Sequence, residues 1–267
     1  MIAALILGGV AALAVALPLV MKWELGVRRS MLGAGGCAIA SSLAVAVLST
    51  TVDVEPLPAG LLVMVITLAV SGAVLLWRFY RDPERTAPER EGAVVSPADG
   101  HVIYVHRCDC GELPISTKRG RPYVLYELVR TPLRTENALV VGIGLSFLDV
   151  HVNRAPIAGA VTAQERYPGR FRSLKDPSAI FANERATTVL EWAGLQVAVV
   201  LIASRLVRRI VSFVQEGDHV ALGQRIGAIR FGSQVDVVLP DAENIEIHVR
   251  VGDRVRAGET VIAEVTR

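Results

Sequence analysis

Cysteine is scarce: three in 267 residues, too few for a disulfide scaffold. Cys37 falls inside an apolar run, and Cys108-Asp109-Cys110 is one pair with no second pair or histidine at zinc-finger spacing, so no metal site is expected. Lysine is rarer than arginine, with Lys22, Lys118 and Lys175 the only examples. No Gly-x-Ser-x-Gly elbow is present, which argues against a serine hydrolase. The formal net charge of +2 is too weak for a nucleic-acid footprint. Charge is missing altogether from three stretches, about residues 2–20, 31–51 and 58–77. Each approaches the roughly 20 residues that span a bilayer core.

Those stretches account for an apolar content of 52% and a mean hydropathy of +0.44, both high for a purely soluble chain. Residues 1–77 read as a transmembrane anchor of three helices and residues 78–267 as a separate domain. Lys22, Arg28 and Arg29 follow the first span, whereas Asp53 and Glu55 are the charges between the second and third. The excess of positive charge beside the first loop makes that loop cytoplasmic, so three crossings leave residues 78–267 in the cytoplasm of a multi-pass cell-membrane protein. The first segment lacks a basic start and a small-residue cleavage site, so a removable signal peptide is not expected. Arg78-Phe79-Tyr80-Arg81 suits a membrane interface, and Arg166, Arg170, Arg172 and Lys175, with Phe171 among them, form a second basic cluster for anionic head groups.

The C-terminal part is patterned as β-structure. Gly217-Asp218-His219-Val220-Ala221-Leu222-Gly223 recurs as Gly252-Asp253-Arg254-Val255-Arg256-Ala257-Gly258, one Gly-Asp-x-Val-x-x-Gly turn repeated 35 residues on. Between the copies, Ile245, Ile247, Val249 and Val251 alternate with polar residues, the period of a half-buried strand. The fold expected is membrane-anchored and mainly β: N-terminal transmembrane helices, then an antiparallel β-sandwich or barrel-sandwich-like domain with few helices, one of them over Ala203 to Val211.

Four motifs carry candidate chemistry. Ser96-Pro97-Ala98-Asp99-Gly100 is a turn that presents a carboxylate before a strand from Val102 to Val105. In Asp149-Val150-His151-Val152-Asn153-Arg154-Ala155-Pro156, alternation puts Val150 and Val152 toward the core and Asp149, His151 and Asn153 on the other face. Asn183-Glu184-Arg185 can bind a head group or cap structure. Arg230-Phe231-Gly232-Ser233-Gln234 places a Gly-Ser peptide bond between the two repeat turns.

With Arg81-Asp82-Pro83-Glu84-Arg85 after the anchor and Arg208-Arg209-Ile210-Val211 before the last motif, this order of motifs resembles the phosphatidylserine decarboxylase family, in particular its short bacterial and archaeal branch. The resemblance covers residues 78–267, with an insertion around residues 107–136. It implies an autocatalytic cut between Gly232 and Ser233, giving a β chain 1–232 and an α chain 233–267 whose first residue becomes a pyruvoyl cofactor. That ketone serves as an electron sink for decarboxylation of a membrane aminophospholipid. By the same resemblance Ser233, His151 and Asp99 form the catalytic set, with His151 as base and Asp99 orienting it. Asn153, Arg154, Asn183 and Arg185 are the expected substrate contacts. Arg154 stands where some members have a second histidine, and Gln234 where a basic residue is common. Archaetidylserine decarboxylation is the neighbouring activity, and a homodimer is left open. The paired turns also resemble those of biotinyl and lipoyl carrier domains, but a carrier needs a lysine between the repeats and none is there.

Overall fold

The computed structural model describes residues 1–22, 25–116, 122–135, 137–174, 176, 178–204, 210–229 and 234–266. The chain divides into two units, Met1–Arg81 and Asp82–Arg267. The first holds α1 (Ile2–Lys22), α2 (Val27–Leu48) and α3 (Pro56–Tyr80), all three long and apolar enough to cross a membrane. Prolines open α3, where a missing N–H costs nothing. Glycine sets the spacing between α1 and α3: a Cβ on Gly8 would stand 2.1 Å from the Gly60 carbonyl oxygen, and one on Gly60 would stand 2.7 Å from that of Ala4. Lipid tails are as apolar as leucine, so such close backbone packing is what joins helices in a bilayer.

The second unit begins with β1 (Ala93–Val95), β2 (Gly100–Cys108), β3 (Glu112–Ser116), β4 (Pro122–Val124) and a short α4 (Leu125–Val129). It continues through β5 (Ala138–Gly144), β6 (Val152–Arg154), β7 (Gly159–Tyr167), a one-turn α5 (Ala179–Ala182), β8 (Arg185–Trp192) and β9 (Leu195–Ile202). The rest is β10 (Ile210–Ser212), β11 (His219–Val220), β12 (Arg225–Ile229), β13 (Gln234–Pro240), β14 (Ile245–Ile247), β15 (Arg254–Val255) and β16 (Val261–Val265). Eight strands form one antiparallel sheet in the order β11-β7-β8-β9-β13-β5-β2-β15, flanked by the three-stranded sheets β1-β16-β14 and β10-β12-β6.

The two repeat turns supply β11 and β15, the outer strands of the eight-stranded sheet. Their partners are themselves a repeat that only the fold exposes: Ala155-Pro156-Ile157-Ala158-Gly159-Ala160-Val161 matches Ser96-Pro97-Ala98-Asp99-Gly100-His101-Val102. Val220 pairs with Gly159 and Val255 with Gly100. The halves also bond to each other reciprocally, Arg154 N–H to the Pro97 carbonyl at 2.9 Å and Val95 N–H to the Pro156 carbonyl at 2.9 Å. Gly100 and Gly159 adopt φ of 149° and 151°, and a Cβ at either would lie 2.2 Å from a carbonyl oxygen of the neighbouring strand.

The central strands are covered on both faces. Val141, Ile143, Val199, Leu201, Val235 and Val237 point into the main core, while Val140, Val200, Ile202 and Val238 meet Leu125, Leu128, Ile180 and Phe181 from α4 and α5. Antiparallel strands buried on both faces read as near-continuous apolar runs, as β13 does apart from Gln234 and Asp236. Two local expectations change. The strand expected through Val251 ends at Ile247, and Val251 is 63% exposed because it begins the next turn. Of the helix expected over 203–211, residues 205–209 lie outside the described residues, and its end is instead β10, paired with β12. Asp149, His151 and Asn153, expected on one polar face, are all buried, and the Asn153 amide reaches the Pro97 carbonyl of the 96–100 turn at 3.4 Å.

Candidate active site

The turn Ser96 to Gly100 is shaped by its own serine, whose Oγ donates to the Ala98 carbonyl at 2.7 Å. It projects the Asp99 carboxylate into a buried fork, with Oδ1 2.7 Å from Arg85 Nη1 and Oδ2 accepting from Arg85 Nη2 at 2.8 Å. Ala257 N–H also donates to Oδ1 at 2.9 Å. A bidentate guanidinium and a backbone N–H satisfy the acceptors of this carboxylate. Arg85 closes the circle by donating to the Ala257 carbonyl at 3.0 Å.

His151 precedes β6. Its Nδ1 lies 2.8 Å from the Asp149 carbonyl oxygen. A carbonyl only accepts, so Nδ1 carries the proton and Nε2 holds the lone pair of the neutral ring. The Asp149 side chain is held in turn by Ser146, through N–H at 2.8 Å and Oγ at 2.6 Å. The ring is thus oriented by the backbone of Asp149, while the Asp99 carboxylate is engaged by Arg85 and Ala257. The histidine is tied to the strand that precedes the Gly-Ser motif: its carbonyl accepts Ile229 N–H at 3.0 Å, and β13 resumes at Gln234. Gly232 and Ser233 lie between, outside the described residues.

β6 pairs with β12 and places Arg154 directly opposite Arg225. Like charges at such a site repel. Asp82 resolves this, with Oδ2 2.6 Å from Arg225 Nε and Oδ1 3.4 Å from Arg154 Nη2. Glu84 adds a second carboxylate to Arg225 at 2.7 Å, and that guanidinium holds the Glu84 carboxyl below its usual range. The segment 82–85 is therefore a strap that pins the 96–100 turn, β6 and β12.

A model of the family described as phosphatidylserine decarboxylase matches residues 73–263. The chain belongs to the phosphatidylserine decarboxylase family. A phosphatidylserine decarboxylase proenzyme of Geotalea uraniireducens is 39% identical over 185 residues, covering 69% of this chain and 76% of the relative. Proenzymes of the same name from Symbiobacterium thermophilum and Erythrobacter litoralis are 42% and 43% identical, covering 73% and 70% of this chain and 80% and 72% of the relatives.

Within this family frame, the residues expected on substrate prove to be deeply tied. Arg154 is 4% exposed and also donates to the Gly223 and Pro83 carbonyls, each at 2.9 Å. Arg185 is 2% exposed and donates to the carbonyls of Glu127 at 2.6 Å, Leu128 at 3.1 Å and Phe181. Burial, with the Arg130 charge behind it, pulls the Arg185 guanidinium down to about 10. The Asn183 amide is taken by Arg172 N–H, the Arg172 carbonyl and the Ala203 carbonyl, at 2.8, 2.9 and 2.8 Å. Asn153 is fully buried; its Nδ2 reaches the Pro97 carbonyl at 3.4 Å, while Oδ1 has no hydrogen-bond partner among the described residues.

One polar cluster was missed by sequence reasoning. Asp236, three residues after Ser233, accepts from Tyr104 Oη at 2.7 Å and from Gln234 Nε2 at 2.7 Å. Burial pushes its carboxyl up to about 6. Burial, reinforced by the Asp236 charge, holds the Tyr104 hydroxyl well above its usual range. The available signal was a lone acidic residue inside the apolar run Val235 to Leu239.

Proposed function

We propose that the chain decarboxylates phosphatidylserine to phosphatidylethanolamine, using a pyruvoyl group that it makes by cutting itself between Gly232 and Ser233. The observation that carries this reading is the proton placement on His151: Nδ1–H is spent on the Asp149 carbonyl, so Nε2 is the basic atom, and the same residue's carbonyl is bonded to Ile229 at the edge of the cleavage segment. Gln234, the residue after Ser233 in sequence, is fixed by pairing on both sides.

In maturation, His151 Nε2 takes the Ser233 hydroxyl proton as Oγ attacks the Gly232 carbonyl carbon. The peptide C–N bond breaks and an ester forms in its place. Loss of the Ser233 Cα proton then expels the Gly232 carboxylate, and water replaces the nitrogen, which leaves as ammonia. Once formed, the pyruvoyl group supplies a ketone that accepts the electron pair left when carbon dioxide departs. The surroundings suit it: the buried, unsatisfied Asn153 Oδ1 offers an acceptor for a substrate ammonium, and His151 can hold the proton that returns to carbon. Asp99 acts on this set at one remove, because the turn that carries it also carries the Pro97 carbonyl that holds β6.

The three apolar helices would anchor the β-domain at the membrane that contains its substrate, on the cytoplasmic side by the charge asymmetry of the loops. The test is mass spectrometry of the purified full chain. Two fragments are expected, the smaller starting at position 233 and lighter than the serine-ended peptide by one ammonia, and Ser233→Ala and His151→Ala should each give one uncut, inactive chain. Decarboxylation by an uncut chain would refute the reading.

A further inference from the structure

The guanidinium groups of Arg154 and Arg185 are spent on backbone carbonyls and on Asp82, so the phosphodiester of a lipid head group must find other donors. A cavity of about 210 Å³ beside α4 and α5 offers them. Arg130 and Arg172 line it, and both are exposed. Among the described residues neither guanidinium makes a salt bridge or a side-chain hydrogen bond, although Glu127 lines the same cavity. Glu127 is turned back on its own helix, where Oε2 accepts Val124 N–H at 3.2 Å. Two arginines and one glutamate leave the lining with a charge of +1, the complement of the single negative charge on a phosphodiester.

Both arginines project from fixed backbone. Arg130 ends α4 with φ 63°, its N–H bonded to the Tyr126 carbonyl at 2.7 Å and its carbonyl accepting Tyr167 Oη at 3.0 Å. Arg172 is gripped at N–H and carbonyl by the Asn183 amide. Tyr123 and Phe181 stack with centroids 3.7 Å apart and give the cavity an apolar wall, while the Ser178 hydroxyl at its edge donates to Asp176 at 2.7 Å. The volume is below the usual 300–1,000 Å³ of a whole-ligand pocket, which fits a head-group fragment and excludes acyl chains. Phe171, beside Arg172, is 37% exposed.

The cavity is also wired to the cleavage site. Arg185 holds α4 and α5 through Glu127, Leu128 and Phe181. Arg185 pairs with Ile202, and Ile202 with Gln234. Two strand spacings, about 10 Å, thus separate Arg185 from the residue next to Ser233. Resting on the functional reading above, we propose that Arg130 and Arg172 form the phosphate subsite of this decarboxylase and hold the phosphodiester of the glycerophospholipid substrate.

The experiment titrates detergent-solubilised, uncut Ser233→Ala chain with dihexanoyl phosphatidylethanolamine and, in a second arm, with inorganic phosphate, by calorimetry. Adding Arg130→Gln or Arg172→Gln should weaken lipid binding roughly 10- to 100-fold, the worth of a charge-assisted hydrogen bond. Arg134→Gln, an exposed arginine paired with Glu191, should leave it unchanged. In the otherwise native chain the same two variants should still give both fragments, with KM for dihexanoyl phosphatidylserine raised and kcat little altered. Lipid binding that is absent, or indifferent to both variants, overturns the proposal. So does arginine-dependent binding of inorganic phosphate without lipid binding. Arginine-dependent lipid binding by the Ser233→Ala chain, together with a native chain that keeps Ser233 and still never cuts itself, would uphold the subsite and sink the decarboxylase reading instead.

Discussion

Replacing Asp236 with asparagine should change how stability depends on pH. The carboxylate is completely buried and is met by two neutral donors, Tyr104 Oη and Gln234 Nε2. Burial raises its pKa from 3.8 to about 6 despite those bonds and the Arg185 charge. A carboxyl raised in the folded state contributes stability that is complete below about pH 4 and is lost as pH rises through about 6. The difference of roughly two pKa units is worth about 3 kcal/mol by pH 7.5. Asp236→Asn keeps the shape and removes the titration, so its stability relative to aspartate should climb by that amount between pH 4 and pH 7.5. For a domain of this size that is roughly 6 to 12 °C in Tm. The comparison is Ser233→Ala against Ser233→Ala with Asp236→Asn, both uncut, in full-length solubilised protein, followed by Trp192 fluorescence on heating. Other titrating groups cancel in the difference. A gap between the two melting curves that stays constant across pH would refute the assignment.

Asp99→Asn should cost about 3 kcal/mol or more, because it strands the Arg85 guanidinium in a buried fork; an unchanged Tm would refute that account of the pair. Gly100→Ala should cost about 3 kcal/mol or more, from a Cβ placed 2.2 Å from the Gly144 carbonyl oxygen and an unfavourable φ. Gly194→Ala, at φ 84° with open space around it, should cost about 1 kcal/mol by thermal unfolding, and equal effects at the two glycines would remove the clash from the explanation.

Much of the fold was legible because its signals are local. Three charge-free runs of bilayer length need no tertiary information, and neither do two copies of a glycine-aspartate turn. What failed depended on neighbours. Alternation carried the strand past Ile247 because periodicity cannot see that Arg250 N–H is captured by the Asp253 side chain at 2.8 Å, which starts the next turn. Alternation put Asp149, His151 and Asn153 on one face but could not show that all three are buried, Asn153 against a turn fifty-six positions away in sequence. Arg154 and Arg185 were expected on substrate by resemblance alone, and no motif shows that their guanidinium groups also hold the scaffold. Arg154 bonds Asp82 and the Gly223 and Pro83 carbonyls, and Arg185 bonds the Glu127, Leu128 and Phe181 carbonyls, partners that no sequence pattern marks. Asp236 was legible in principle, since an acid inside Val-Asp-Val-Val-Leu must be paid for by partners.

The second repeat says where the chemistry should lie. Ser96 to Val102 and Ala155 to Val161 share the pattern x-Pro-x-x-Gly-x-Val, and each half lays its glycine against the valine of one Gly-Asp-x-Val-x-x-Gly turn. Packing explains everything the halves share: the prolines exchange carbonyls, and the turn glycines Gly223 and Gly258 touch, the Cβ position of one falling 3.4 Å from the Cα of the other. Packing does not explain what they fail to share. Ala158 occupies in one half the position that Asp99 holds in the other, so the structure tolerates an alanine there and the charge is an addition. The strap 82–85 answers that charge with Arg85, and with Asp82 it clamps Arg154, the residue just ahead of the second repeat. The ion pair therefore belongs to one half alone, and the alanine of the other half shows that the shared scaffold does not require it.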